Sequence, residues 1–343
     1  MKAIQIDEFV KDFSELRPKD VQCQCKSNQL GVQITHAAVT HVDMLYAQGL
    51  HQNNRRHVKP PFILGNEFAG TTTSSPPNSS FPPGTRVFGS ALGSYATHIC
   101  VSETAVKPVP SQWTNAEACA VGASGAISYG GLMDVGNLQR GQWVLILGAT
   151  GGLGVMAIQI AKAVGARVIA AVADGEAGEK GRMVRRIGAD VVVDFQGKEW
   201  EGRVREATDG GEGVHLVYDS IGAVESGIRC CRYRGRIVIV GFAARGGEME
   251  MVKMNRVLLK GISVVGYRFG EDGRRDPEKT KQAWKGFMGL VEAGKIRPVI
   301  YSGEYKGLES LPRALEDLKE RKAWGRSVLR ISEEAGQTDK SRL

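Results

Sequence analysis

The stretch that most limits what this chain can become runs from Trp143 to Val172, WVLILGATGGLGVMAIQIAKAVGARVIAAV. It opens with a wholly apolar run, Val144 to Leu147, long enough for a buried parallel strand and too short for a helix. A turn carrying Gly148, Gly151, Gly152 and Gly154 follows. Val155, Ile158, Ile160, Ala161 and Val164 then supply the apolar face of a helix that Gly165 closes. Arg167 to Val172 returns as a second, β-branched strand. The spacing predicts a strand–turn–helix–strand unit whose turn offers backbone N–H groups and a helix N-terminus to an anion. Side chains at those glycines would hold the pyrophosphate of a dinucleotide off the backbone. The pattern is G-x-x-G-x-x-G, one residue longer in its first half than G-x-G-x-x-G, and it draws its force from the strand and helix around it.

The rest of the chain fits that unit into a larger frame. A length of 343 residues suits two domains, or one domain with a substantial insertion, and 42% hydrophobic with 24% charged content is ordinary for a soluble globular protein. No apolar run reaches the ~18 residues of a membrane span. Met1-Lys2-Ala3-Ile4 leads straight into strand-like sequence, which leaves no room for a signal or transit peptide. The six cysteines lack C-x-x-C spacing, so Cys23, Cys25, Cys230 and Cys231 are expected as reduced thiols of an intracellular protein, not as a metal or disulfide framework. A net charge of +8 suits an anionic ligand, though the basic residues are spread along the chain.

The first 113 residues read as all-β, with strands expected at Ala3–Ile6, Val21–Cys25, Val32–Val39, Arg86–Gly89 and Tyr95–Val101. Thr71–Gly84, TTTSSPPNSSFPPG, reads as a mobile surface loop. Thr114 and Glu117 make a capping-box match that opens a helix. Apolar strands then recur at 144–147, 167–172, 190–194, 214–219, 236–240 and 262–266, the six strands of a doubly wound parallel sheet. Asp276-Pro277 starts a further helix with Trp284, Phe287, Met288 and Val291 on its apolar face. Strand Pro298–Tyr301, helix Leu311–Lys322 and strand Ser327–Ile331 follow. Since a finished sheet has no place for them, residues 277–332 are expected to join residues 1–120 in a β-rich domain. Residues 121–276 then form the cofactor domain, and 333–343 a flexible polar tail.

At this point the chain resembles the medium-chain dehydrogenase/reductases, in their zinc-free quinone oxidoreductase (zeta-crystallin-like) and enoyl reductase branch. GATGGLGVMAIQIAKAVGARVIA is similar to that branch's AAxGGVG segment, and Gly65-Asn66-Glu67-Phe68-Ala69-Gly70 to the superfamily's G-H-E-x-x-G. Asn137–Val144, Tyr218–Gly222, Val240-Gly241-Phe242 and Trp324-Gly325-Arg326 resemble further family segments. The resemblance implies an α/β protein with a GroES-like β-rich catalytic domain and a Rossmann domain carrying the six-stranded parallel sheet. A nucleotide is implied in the cleft between them, and a homodimer made by extending the cofactor sheet. The implied cofactor residues are Thr150, Gly151, Gly152, Leu153, Ala173, Lys180, Phe195, Ser220, Gly241, Phe242, Tyr267 and Arg326.

Zinc members of the superfamily place Cys and His where this chain has Thr40 and Asn66, a poor donor pair for zinc, and the four-cysteine structural lobe is absent. No metal is therefore expected, with His41, Asp43 and Glu67 left as the one alternative ligand set. Without a Lewis acid, reduction of an electron-poor double bond in a quinone, enone or enoyl thioester is favoured over alcohol–ketone interconversion, because charge passes into an enolate. Thr40, Tyr46 and Asn66 are the implied catalytic residues, Tyr46 being equally readable as an amphipathic surface tyrosine, and Tyr267 is a further polar candidate. The family often has asparagine at Thr40 and threonine at Ile127, so both changes make the pocket less polar. NADPH is expected over NADH, since Val172 and Ala173 replace the carboxylate that grips a ribose 2′-OH, while Lys180 and Arg182 stand close by. Asp174 and Glu176 are read as turn and helix-start residues.

Two alternatives stay open: a zinc-independent alcohol or carbonyl dehydrogenase, and a crystallin-like or RNA-binding member of the same fold. The second would use Arg182, Arg185, Arg186, Arg229, Arg232, Arg234 and Arg236, which lack interleaved aromatics. Ser341-Arg342-Leu343 resembles the Ser-Lys-Leu peroxisomal address, so the expected location is the cytoplasm or the peroxisomal matrix, with an import receptor as partner in the latter case.

Overall fold

A computed structural model describes residues 1–244 and 249–332. It divides into two compact units, Met1–Ala123 with Pro298 onward, and Ser124–Arg297. No helix among the described residues is long and apolar enough to cross a membrane.

The first unit is the GroES-like domain. Its early strands are β1 (Lys2–Ile6), β2 (Pro18–Asp20), β3 (Leu30–Val39), β4 (Phe62–Ile63), β5 (Glu67–Ser74), β6 (Arg86–Ser90), β7 (His98–Val101) and β8 (Val106–Pro108). Helix α1 (His41–Ala47) follows β3, and α2 (Asn115–Val121) starts on the expected Thr114–Glu117 capping box. Three expectations change. Val21–Cys25 is not a strand; β2 precedes it. Thr71–Ser74 belongs to β5, where β-branched threonines pair with β3 and β6. The loop that remains is pinned, since Ser79 Oγ and Ser80 N donate to Glu103 at 2.9 and 3.0 Å.

The second unit is the Rossmann domain. After α3 (Ser124–Tyr129) and a π-turn at Gly130–Val135, it alternates β9 (Trp143–Leu147), α4 (Gly152–Ala163), β10 (Arg167–Val172), α5 (Glu179–Arg186), β11 (Val191–Asp194) and α6 (Trp200–Glu206). Then come β12 (Val214–Asp219), α7 (Val224–Cys230), β13 (Cys231–Ile239), α8 (Met254–Lys260), β14 (Ser263–Gly266), α9 (Phe269–Arg275) and α10 (Pro277–Glu292). The six strands are all parallel, in the order β11-β10-β9-β12-β13-β14. Leu145, Ile169, Val217 and Ile237 bury one face of that sheet. The reversal between β10–β9 and β9–β12 is the switch point at which such sheets bind ligands.

The boundary at residue 277 is corrected: α10 lies in the second unit. A helix need not extend a sheet to belong to it; this one packs on α3, with fully buried Phe287 laid against Gly125, whose Cβ would come within 2.1 Å of the ring. The chain then returns to the first unit with β15 (Tyr305–Lys306), α11 (Leu311–Lys319) and β16 (Ser327–Arg330), while Pro298–Tyr301 forms a single bridge, Ile300 to Arg326, instead of a strand. The larger sheet of that unit runs β15-β16-β3-β5-β6-β8, with β7 also paired to β3. The 333–343 tail, with Ser341, Arg342 and Leu343, lies outside the described residues.

The cysteines depart from expectation. Cys119, Cys230 and Cys231 are buried free thiols, but Cys25 and Cys100 are joined in a disulfide and Cys23 is exposed. The pair is 75 residues apart in sequence, so only strand pairing brings it together. Several of the arginines that could have made a basic face are engaged with the protein: Arg185 with Glu176, Arg229 with Glu201 and Glu225, Arg232 with Glu212 and His215, and Arg236 with Val135 O.

Candidate active site

The carboxyl ends of the Rossmann strands gather the cofactor candidates of the second unit at one edge of the sheet. After β9, Gly148 adopts φ +80°, and a Cβ there would meet Ser220 Oγ at 2.2 Å. Gly151 N donates back to Gly148 O at 3.1 Å, and Gly151 is the N-cap of α4. At Gly154 a Cβ would fall 2.1 Å from Gly148 O, so this glycine lets the helix sit tight on the turn. Around Gly151, by contrast, a Cβ meets among the described residues only Gly148 O, at 3.7 Å. Helical geometry leaves the first-turn N–H groups of Gly152, Leu153 and Gly154 without intrahelical acceptors. Thr150 and these glycines therefore form a bare cradle at the positive end of a helix dipole, which fits a dinucleotide pyrophosphate.

The neighbouring strand ends complete this edge. Ala173 follows β10, and Phe195 N donates to Val172 O at 3.0 Å. Asp174 turns its carboxylate onto the start of α5, accepting from Lys180 N at 3.0 Å, in keeping with a helix-start residue. Glu176 is engaged by Arg185. Ser220 donates to Leu147 O at 2.9 Å and so ties β12 to the glycine turn. Gly241 and Phe242 follow β13, with Phe242 44% exposed, and Tyr267 follows β14 with its hydroxyl against Gly130. Burial holds the Tyr267 phenol well above its ordinary range, so it stays protonated. Two further residues shape this edge, of which Ser128 had no sign in the sequence and Asp219 lay within the family-like Tyr218–Gly222 segment. Ser128 on α3 donates to Leu153 O at 2.9 Å and lies 3.0 Å from Tyr218 OH, bracing the helix start. Buried Asp219 accepts from Ile221 N and Gly222 N, and burial pushes its acid up to about 6. Arg326 belongs to the first unit.

The catalytic candidates lie in the first unit, where fully buried Asp43 is the hub. Thr40, the N-cap of α1, donates to Asp43 Oδ2 through its backbone N at 2.8 Å and its hydroxyl at 2.7 Å. Tyr95 OH donates to the same oxygen at 2.9 Å, and Asn66 Nδ2 donates to Oδ1 at 2.6 Å. Burial raises the Asp43 acid, and the bonds from Thr40, Asn66 and Tyr95 pull the other way. Burial and the Asp43 charge hold the Tyr95 phenol well above its ordinary range. Thr40 has thus spent its proton on Asp43, while the amide of Asn66 is fixed in orientation with a second N–H to offer. Tyr46 accepts from Asn53 Nδ2 at 2.8 Å and stacks on His51 with ring centroids 4.3 Å apart.

The alternative ligand set His41, Asp43 and Glu67 does not converge. Glu67 instead pairs with Arg326 at 3.2 Å and accepts from Ala123 N at 2.9 Å. Burial raises the Glu67 acid, opposed by the Arg326 charge. Gly122, at φ +47°, gives the carboxylate its room, since a Cβ there would come within 2.5 Å. Among the described residues, the His, Cys, Asp and Glu groups close enough to share an ion are Cys23, Cys25 and Cys100.

Comparison with known proteins agrees with this geometry. The alcohol dehydrogenase GroES-like domain family matches residues 26–111, and the zinc-binding dehydrogenase family matches residues 152–289. A quinone oxidoreductase-like protein 2 homolog from Nematostella vectensis is 29% identical over 321 residues, covering 91% of this chain and 86% of that protein. A crystal structure of a probable oxidoreductase from Mycobacterium abscessus superposes with a TM-score of 0.83 at 33% identity, over 96% of this chain and 98% of that one. A mycobacterial protein solved in complex with NADPH gives a TM-score of 0.83 at 27% identity, over 96% and 99%.

Proposed function

Because the chain belongs to the medium-chain dehydrogenase/reductase superfamily of oxidoreductases, we propose that it is an NADPH-dependent, zinc-independent reductase of electron-poor double bonds in quinones, enones or enoyl thioesters. The observation that carries the zinc-free part is the commitment of both Asp43 oxygens to Thr40, Tyr95 and Asn66. A threonine and an asparagine at the ligand positions make a poor zinc set, and here both are bound into a hydrogen-bond hub instead.

NADPH, when bound, supplies the hydride for the electron-poor carbon. The glycine turn and the N-terminus of α4 would hold its pyrophosphate, and Lys180 its 2′-phosphate. Charge that develops on the substrate oxygen needs a donor. The second N–H of Asn66 meets that need, with Asp43 fixing the amide, and Thr40 acts as a positioning residue through the same carboxylate. The proton that completes the reduction comes from water or a cleft hydroxyl, with Tyr46, whose oxygen accepts from Asn53, among the candidates.

An NADPH-oxidation screen across quinones, enones and enoyl thioesters of several chain lengths tests this reading, run with and without a strong chelator. Turnover on at least one class, unaffected by the chelator, is expected. Absence of turnover on every acceptor, together with a salt-sensitive shift of RNA, would favour the binding-protein alternative; loss of turnover with the chelator would end the zinc-free reading.

A homodimer belongs to the same proposal. β14 has β13 on one side and no strand on the other among the described residues. Helix α8, which precedes it in the chain, exposes Met254, Leu258 and Leu259, and the strand itself exposes Val264. A second copy pairing at this edge would cover both liabilities, and light scattering on Leu259→Glu, expected monomeric, checks it. For location, a fluorescent protein fused upstream of the tail, with and without Leu343, separates peroxisomal from diffuse signal.

A further inference from the structure

The Cys25–Cys100 disulfide has a third sulfur beside it. Cys23 Sγ lies 3.5 Å from Cys100 Sγ, and the three sulfurs all lie within 4.8 Å of one another. The fold builds this cluster from separate pieces. Backbone bonds between Met1 and Val21, at 2.8 and 2.9 Å, fix the segment that carries Cys23 and Cys25. Strand β7 carries Cys100, whose register partner on β3 is Gly31. Gly31 is close-packed there, since a Cβ would come within 2.5 Å of Ser74 Oγ and 3.1 Å of Thr73 Oγ1, with Cys25 Sγ next at 3.4 Å. Outside the sulfurs a cavity of about 310 Å³ opens, lined by Cys23, Cys100, His98, Met1 and Ile63 among others.

A disulfide needs two of these sulfurs, and the arrangement does not suit exchange with the third. In-line attack on Cys100 would place the outer sulfurs about 5.5 Å apart, the sum of the 3.5 Å gap and a bond of about 2.0 Å. They lie closer than that, as corners of a triangle. A triangle of thiolates is what a thiophilic ion requires. With metal–sulfur bonds of about 2.3 Å, tetrahedral ligands stand about 3.8 Å apart, close to the Cys23–Cys100 separation.

We propose that, in the reduced protein, Cys23, Cys25 and Cys100 form a trithiolate site for a thiophilic d¹⁰ cation, zinc(II) or copper(I), with its remaining face open to the cavity beside His98. A dithiol reductant delivers two electrons and two protons to the Cys25–Cys100 bond and closes to its own disulfide. On binding, the ligand thiols release their protons to solvent. The oxidised protein retains one thiol in the cluster and has no site, so occupancy follows the thiol redox state. This site uses none of the residues assigned to reduction of substrate.

The test starts from protein reduced with dithiothreitol and desalted without oxygen. It is titrated with zinc chloride against a chromophoric chelator, with cobalt(II) to read thiolate charge-transfer absorption, and with copper(I) buffered by bicinchoninate. One equivalent per chain is expected in the reduced form and none in the oxidised form. Cys23→Ser should weaken binding at least about 100-fold, while Cys230→Ser leaves it unchanged. Cys23 is exposed and outside the strands, so an unchanged melting temperature of oxidised Cys23→Ser confirms its fold. Tight zinc binding assigns a four-coordinate site, and tight copper with weak zinc a trigonal one. Equal zinc and copper affinities in reduced wild type and Cys23→Ser, or equal binding by the oxidised protein, overturn the proposal.

Discussion

Replacing Gly151 by alanine separates the ligand-binding role of the glycine turn from its structural one. Gly151 sits at φ −84°, ψ 172°, which alanine adopts without strain, and its new Cβ would meet Gly148 O at an ordinary 3.7 Å. Restricting the unfolded chain stabilises by about 0.4–1 kcal/mol. Alanine is the poorer N-cap by a similar amount, so the melting temperature should move by no more than about 3 °C. The methyl nevertheless stands in the bare cradle in front of the α4 N-terminus. Holding a phosphate off one N–H removes a charge-assisted bond of about 1.5–3 kcal/mol, or roughly 10- to 150-fold in Kd. Fluorescence titration with NADPH, paired with calorimetry, reads both quantities. Gly154→Ala is the contrast, because its Cβ at 2.1 Å from Gly148 O must push the helix off the turn, at about 1–3 kcal/mol. An unchanged NADPH Kd in stable Gly151→Ala protein would refute the cradle.

Other consequences can be measured separately. Lys180→Ala should raise the KM for NADPH at least about 10-fold more than that for NADH, one charge-assisted contact being about 1.5–3 kcal/mol; equal effects would remove Lys180 from the 2′-phosphate. Burial lifts Asp219 from 3.8 to about 6, so the folded state keeps a proton that the unfolded state has lost between those values, and stability falls as pH rises through that window. Urea midpoints of Asp219→Asn should lack this decline of about 1–3 kcal/mol, and a parallel decline in the variant would assign it to another group. Phe287→Ala should destabilise by about 3–5 kcal/mol through the cavity left against Gly125, and a loss under about 1 kcal/mol would show that α10 is dispensable to its unit.

What the sequence disclosed was whatever is local. The apolar runs of β9 to β14, the glycine turn and the Thr114 capping box each lie within one element and its neighbours, and all are present, although β13 begins at Cys231, five residues before the expected start. Helix α10 was legible as an amphipathic helix, but an apolar stripe does not say which surface it covers, so its domain was misassigned. The Asp43 hub draws Asn66 and Tyr95 from 23 and 52 residues away, a gathering made by strand pairing in the GroES-like sheet. A local sign was present all the same, since Thr40-His41-Val42-Asp43 is a capping-box pattern and the structure forms it. The cysteine cluster had no such sign, because its register depends on β7 lying beside β3.

The GroES-like domain is stitched from two stretches of chain, and β16 closes on β3 through residues 36–39. That has a consequence for synthesis. A ribosome adding roughly 5–20 residues per second makes residues 36–39 and then needs some 290 more before their partner emerges, a delay of roughly 15–60 seconds. During that interval the Rossmann strands are all made, while His36 to Val39 present an unsealed strand edge to solvent or to a chaperone. The hazard of misassembly therefore falls on the half made first, and a gene cut between Arg297 and β16 should leave the amino-terminal half insoluble while the middle half still folds.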